Sequence, residues 1–220
     1  VSGDFYDVIP LEEGCTGVAI ADVSGKGVPA SLLMAICHTS LRHYAQAHES
    51  PSAVLRAMNA EMSADMRKAL FITLIYAVIN EKKSTITLAR AGHELPLVLQ
   101  NGPSVDYLTT AIDSEGMALG MVPCEIFDEV IEDKTIPFGQ GETLLLYTDG
   151  VTETTNYDDE EYSARRLQNL FKSLREESPE RINQEIFESL EQFKGDNHLQ
   201  DDITLVSVRY KPTVSNNEQT

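Results

Sequence analysis

Four short aspartate-bearing stretches are the part of this chain best suited to chemistry: Ser2-Gly3-Asp4, Ala21-Asp22-Val23-Ser24-Gly25-Lys26-Gly27, Tyr147-Thr148-Asp149-Gly150 and Asp201-Asp202-Ile203-Thr204. Three of them adjoin apolar runs. Residues 18–21 lead into Asp22, 144–148 lead into Asp149, and 203–208 follow Asp201-Asp202. A short apolar run bounded by Gly or Asp predicts a buried strand, and strands of one sheet bring their ends to a shared edge. Each carboxylate is therefore expected at a strand end. A lone aspartate more often caps a helix or forms a turn, but four in this position argue for a single metal site. Unpartnered carboxylates repel by about 4 kcal/mol per close pair at an effective dielectric of about 20, so the cluster calls for protons or cations. All-oxygen donors favour a hard ion, magnesium or manganese, over zinc.

The elements that must hold these residues show in the spacing. Pro29 suits the first turn of a helix whose face repeats as Leu33, Cys37, Leu41 and Tyr44. A second helix, over 51–68, opens with Ser50 as cap and Pro51 in the first turn, and carries Val54, Leu55, Met58 and Met62 on one side. Runs 71–79 and 85–91 read as a hairpin, and 95–99 and 104–108 as two more strands turning at Asn101-Gly102. Helical stripes return over 160–172 and 179–194, before a last strand over 203–210 and a polar tail, 212–220, expected to be flexible. Hairpin strands with helices grouped before and after them predict an α+β layering of helix on antiparallel sheet.

The whole is expected to be one domain of residues 1–211, since 220 residues is ordinary for an αβ domain. With 42% hydrophobic and 24% charged residues the chain can bury about 70% of its unfolded surface. A net charge of −18, from 17 basic and 35 acidic residues, excludes nucleic acid and an anionic membrane as partners and suits cations or a basic protein. Cys15, Cys37 and Cys124 are widely spaced, so neither a disulfide framework nor a zinc finger is expected, and the thiols suit the cytoplasm. No apolar run approaches the roughly 20 residues of a membrane span, and no leader pattern opens the chain. The first aspartate stretch begins so early that no strand can lead into Asp4, which points to a catalytic domain cut from a longer protein with an amino-terminal sensor or receiver region.

Other candidates carry blander readings. Ser24-Gly25-Lys26-Gly27 is not a Walker A loop, because Ile20 stands where Gly is needed and Gly27 where Ser or Thr is needed. Its glycines instead allow a tight turn beside Asp22. His93 reads as a hydrogen-bonded structural histidine, Asp7 and Glu153 as local hydrogen-bonding groups. The acidic runs 128–133 and 158–161 read as solvated faces.

Taken together, Gly3-Asp4-Phe5-Tyr6-Asp7, residues 21–30, Ala91-Gly92-His93, residues 146–153 and Asp201-Asp202-Ile203-Thr204 resemble the sporulation stage II protein E-like serine phosphatases. These are a bacterial branch of the metal-dependent, type 2C-like protein phosphatases, and the resemblance covers about residues 2–210. It implies a four-layer α-β-β-α sandwich of two antiparallel sheets flanked by helices, with a centre of two Mn2+ or Mg2+ ions at one end. It implies hydrolysis of phosphoserine or phosphothreonine on a bacterial regulatory protein, such as an anti-sigma-factor antagonist, by in-line attack of a water held between the two ions.

By motif position the resemblance gives Asp22 the bridge between ions, Asp149 and Asp201 one ion, Asp4 the second ion or its waters, and the Val23 carbonyl a further ligand. Either Asp201 or Asp202 could face the metal, family position pointing to Asp201. Ser24 stands where many type 2C enzymes carry a histidine proposed to protonate the leaving group, and Lys26 is the nearby cation. Regulation is expected to enter through the two helices after Gly27, and a homodimer is compatible with this reading. The competing reading is a non-catalytic module of the same fold that binds a partner protein; the presence of all four aspartates argues against it.

Overall fold

In a computed structural model of the chain, residues 3–65, 70–100 and 108–211 are described. The expected turn at 101–102, the strand residues 104–107, the end of the second helix at 66–68 and the tail at 212–220 lie outside them.

Two antiparallel sheets form the centre. The first has five strands in the order β1 (Phe5–Pro10), β2 (Cys15–Val23), β3 (Ile72–Asn80), β4 (Thr85–Ala91) and β7 (Lys134–Pro137). The second orders β6 (Leu108–Ala111), β5 (Leu97–Gln100), β8 (Thr143–Tyr147) and β9 (Leu205–Arg209). Because side chains alternate along a strand, both faces of each central strand are used. Val18 and Ile20 of β2 pack with Leu144 and Leu146 of β8 between the sheets. Ala19 and Ala21 turn the other way, under α1 (Val28–Ala47) and α2 (Pro51–Asp65). On the far side Leu145 and Tyr147 lie under α5 (Ser163–Ser173) and α6 (Pro179–Lys194). This is the expected α-β-β-α sandwich, completed by the short helices α3 (Cys124–Val130) and α4 (Asp149–Thr152).

The helix stripes fall where the spacing puts them. Cys37, Leu41, Val54, Leu55, Met58 and Met62 are buried, and Ser50 Oγ accepts the Ala53 N–H as the expected cap. Ser178 caps α6 in the same way ahead of Pro179.

The structure departs from the sequence reading at three places. A strand that the spacing does not announce follows Asp4 directly: β1 starts at Phe5. That strand is hidden in the sequence because the buried Asp7 interrupts its inner face between Phe5 and Ile9, while the apolar Tyr6 and Val8 are exposed. The last strand begins at Leu205 rather than 203, leaving Asp201 to Thr204 in a loop. Within the acidic run 128–133, Asp133 is a working group: its two oxygens accept the Ser52 N–H at 2.7 Å and the Ser52 hydroxyl at 2.9 Å, binding the first turn of α2.

Candidate metal centre

Antiparallel pairing brings the four aspartates to one edge of the sandwich. The start of β1 lies beside the end of β2, with Phe5 opposite Ala21, and the end of β8 lies beside the start of β9, with Tyr147 opposite Leu205. Asp4 directly precedes β1, and Asp22 is the penultimate residue of β2. Asp149 is not itself a strand end: Thr148 intervenes, and Asp149 opens α4.

Threonines couple the sheets across this edge. Asp4 Oδ2 accepts the Thr148 hydroxyl at 2.9 Å and the Thr204 hydroxyl at 2.8 Å. Thr148 Oγ1 in turn accepts the Thr204 N–H at 3.0 Å. One oxygen of Asp4 is thus tied to the residue before Asp149 and to the residue two after Asp202. Neither threonine was given a role from sequence, although both stand inside the aspartate stretches; the signal was their adjacency to the acids.

His93 forms a second brace. Its Nε2–H donates to the Tyr147 carbonyl at 3.1 Å, so its Nδ1 accepts the Thr73 hydroxyl at 2.8 Å. Thr73 is the register partner of Asp22, and Tyr147 is two residues before Asp149. Burial pushes the imidazole down to about 4, so it is neutral at physiological pH and serves as the structural histidine expected.

Two glycines permit the close approach of the stretches. A Cβ on Gly150 would stand 2.1 Å from the Asp202 carbonyl oxygen, and one on Gly3 would stand 2.9 Å from the Val23 carbonyl oxygen. Gly25 and Gly27 adopt φ of 92° and 82°, the turn expected after Asp22. Ser24 is committed to this turn: its hydroxyl accepts the Phe71 N–H at 2.8 Å, while its own N–H donates to the Phe71 carbonyl.

The electrostatics follow from what faces each acid. Burial first, and then Asp4, Asp149 and Asp201, together raise Asp22 to about 7. Asp4 shares a hydrogen bond with Asp22 and is itself raised by burial, against the pull of Thr204 and Thr148. Asp149 is raised by burial and by Asp201, and Glu94 and Glu153 are raised by burial and by Asp149. Glu153 thus joins the acidic field at the edge. Asp201 stands further out, 3.4 Å from Lys26 Nζ, which donates to the Gln200 carbonyl at 2.6 Å. Asp201 bears on Asp22, Asp149 and Glu153, whereas Asp202 bears on Asp4.

These groups border a cavity of about 560 Å³ that includes Asp22, Val23, Lys26 and Asp201. Its donors are carboxylate oxygens whose mutual repulsion a divalent cation would relieve, so the chemistry of the site fits a hard ion. Among the described residues no three His, Cys, Asp or Glu side chains already close round one point.

With this geometry in view, comparison with known proteins is informative. The family model described as Stage II sporulation protein E (SpoIIE) matches residues 12–211. The phosphoserine phosphatase RsbU of Bacillus subtilis is 30% identical over 214 residues, covering 96% of this chain and 60% of that protein. Among solved structures, the SiaA-PP2C domain of Pseudomonas aeruginosa superposes with a TM-score of 0.83 at 19% identity, covering 96% of this chain and 82% of that one. The PP2C phosphatase domain of SpoIIE from Bacillus subtilis, solved with a fragment of its regulatory domain, gives 0.78 at 19% identity, covering 96% and 59%. The two structures share the sandwich fold. The chain spans about 60% of the length of RsbU.

Proposed function

The chain belongs to the Stage II sporulation protein E family, and from that premise we propose that residues 1–211 are a metal-dependent protein serine/threonine phosphatase domain. The observation that carries this reading is the convergence of Asp4, Asp22, Asp149 and Asp201 at one sheet edge, where Asp22 is raised to about 7 by burial and by the other three. Its substrate is phosphoserine or phosphothreonine on a regulatory protein, in the manner of an anti-sigma-factor antagonist. An amino-terminal regulatory region in the whole protein and a cytoplasmic location complete the proposal; among the described residues no helix is long and apolar enough to cross a membrane.

Asp22 would hold two ions, Mn2+ or Mg2+, together with Asp149, Asp201 and the Val23 carbonyl, and Asp4 would hold the second ion or its waters. When bound, such ions supply a nucleophilic water near neutral pH and neutralise phosphoryl oxygens. Thr148 and Thr204 both hold Asp4 by its Oδ2, and Asp4 also shares a hydrogen bond with Asp22. His93 fixes the Asp22 strand against the Asp149 strand without carrying charge. Ser24 Oγ accepts the Phe71 N–H, which fixes the turn after Asp22. Lys26 places an ammonium in the wall beside Asp201.

The test uses p-nitrophenyl phosphate and a phosphoserine peptide, with Mn2+, with chelator, and with Asp22→Asn. Hydrolysis that needs Mn2+ and disappears in the variant is expected. Turnover indifferent to both would sink the two-ion reading, and metal binding without any turnover would favour the partner-binding module.

A further inference from the structure

Phe187 stands off the buried stripe of its helix. Ile182, Ile186 and Leu190 recur at helical spacing and are fully buried, whereas Phe187 falls about 100° round from Ile186 and is 40% exposed. Leu199, in the loop between α6 and β9, is 46% exposed. Single exposed apolar residues are ordinary. These two, however, border the same cavity as Asp22 and Asp201, with Ile203 also on the wall. The packing accounts for it. The Ser207 hydroxyl donates to Asn183 Oδ1 at 2.6 Å, and one helical turn after Asn183, Phe187 arrives at the Ile203 end of the loop.

We propose that Phe187 and Leu199 form an apolar subsite that receives the side chain next to the phosphoserine of the protein substrate. The inference rests on the phosphatase reading. A phosphate brought to ions that these carboxylates would hold draws its neighbouring residue along, about 3.8 Å away between Cα atoms, so that side chain enters the same cavity. Apolar walls with a few convergent polar groups are the usual composition of a substrate site. On the remaining wall Lys26 faces Asp201, and Asp22 and Asp202 leave the wall net anionic, which disfavours an acidic neighbour. The partner that fits is therefore a segment with an aliphatic or aromatic residue beside the phosphoserine and no Asp or Glu there.

The experiment compares kcat/KM of the Mn2+-loaded protein on p-nitrophenyl phosphate and on two phosphoserine peptides differing only in Leu or Asp beside the phosphoserine. The wild type should prefer the Leu peptide. Phe187→Ala and Leu199→Ala should each lower turnover of the Leu peptide by about tenfold more than that of p-nitrophenyl phosphate, while Phe187→Leu keeps most of the preference. Equal losses on both substrates, or a Leu preference that survives the double Ala variant, would overturn the subsite while leaving the phosphatase reading intact. A wild type that hydrolyses none of the three would instead overturn the phosphatase reading, and the subsite with it.

Discussion

Asp4 and Asp7 lie three residues apart, both tied to other parts of the fold, yet their surroundings push them in opposite directions. Asp7 is met by α1: Arg42 donates through Nε and a terminal nitrogen, each at 2.6 Å, and His38 Nε2 lies at 2.9 Å. Although burial pushes the Asp7 carboxyl up, Arg42 and His38 hold it below its usual value. Asp4 meets two hydroxyls and another acid, and burial carries it upward. The difference separates a structural acid from one arranged for an ion. Burial alone does not distinguish them; the sign of the charge that faces them does.

The largest test of that distinction is catalytic. Asp22→Asn should lower kcat/KM on p-nitrophenyl phosphate by about 10³-fold or more, because it removes the proposed bridge between ions. Asp7→Asn should keep kcat within about threefold. A catalytic loss at Asp7 equal to that at Asp22 would erase the contrast. Next in size, Thr148→Val should weaken Mn2+ binding by about tenfold in titration calorimetry, since a hydrogen bond to a charged carboxylate is lost. Thr148→Ser should restore the affinity, and failure to do so would assign Thr148 to packing.

Stability separates the pair further. Asp7→Asn should lower Tm by about 3–6 °C at pH 7, read by differential scanning calorimetry. The folded Asp7 value is depressed, so its contribution is present above the unfolded value near 3.8 and is lost as pH falls through the folded one. Asp22 has the reverse sign. Its folded value is raised to about 7, so its contribution is full below 3.8 and lost as pH rises through 7. In chelated protein, Asp22→Asn should therefore stabilise at pH 8, by about 1 kcal/mol after solvent screening, and change little at pH 4. Urea melts at the two pH values check it; equal effects at both would remove like-charge repulsion as the cause.

Most of the layering was legible in the sequence because it rests on periodicity. Leu41, Met58, Leu167 and Ile186 repeat at helical spacing, and the pairs Val18/Ala19 and Leu144/Leu145 alternate between faces. The four aspartates were legible as a set because three lie beside apolar runs and all four stand in stretches that resemble one family. What escaped had a common cause, since it depended on partners distant in sequence. Asp7 breaks the apolar alternation of β1 until Arg42 and His38 arrive from α1 to meet it. Thr148 and Thr204 look like spacers until Asp4 is brought between the sheets. Asp133 looks solvated until α2 starts beside it, and no local pattern announces such a meeting.

The hydroxyl bond from Thr204 to Asp4 spans 200 positions of the chain. During synthesis at about 5–20 residues per second, roughly 10–40 s separate the emergence of one partner from that of the other. The first hairpin and the helices after it can form in that interval, but until Asp149 emerges a nascent chain holds only Asp4 and Asp22 of the four acids. Competence therefore waits until Asp201 and Thr204 have emerged, and a product truncated before them is expected to be inert rather than partly active.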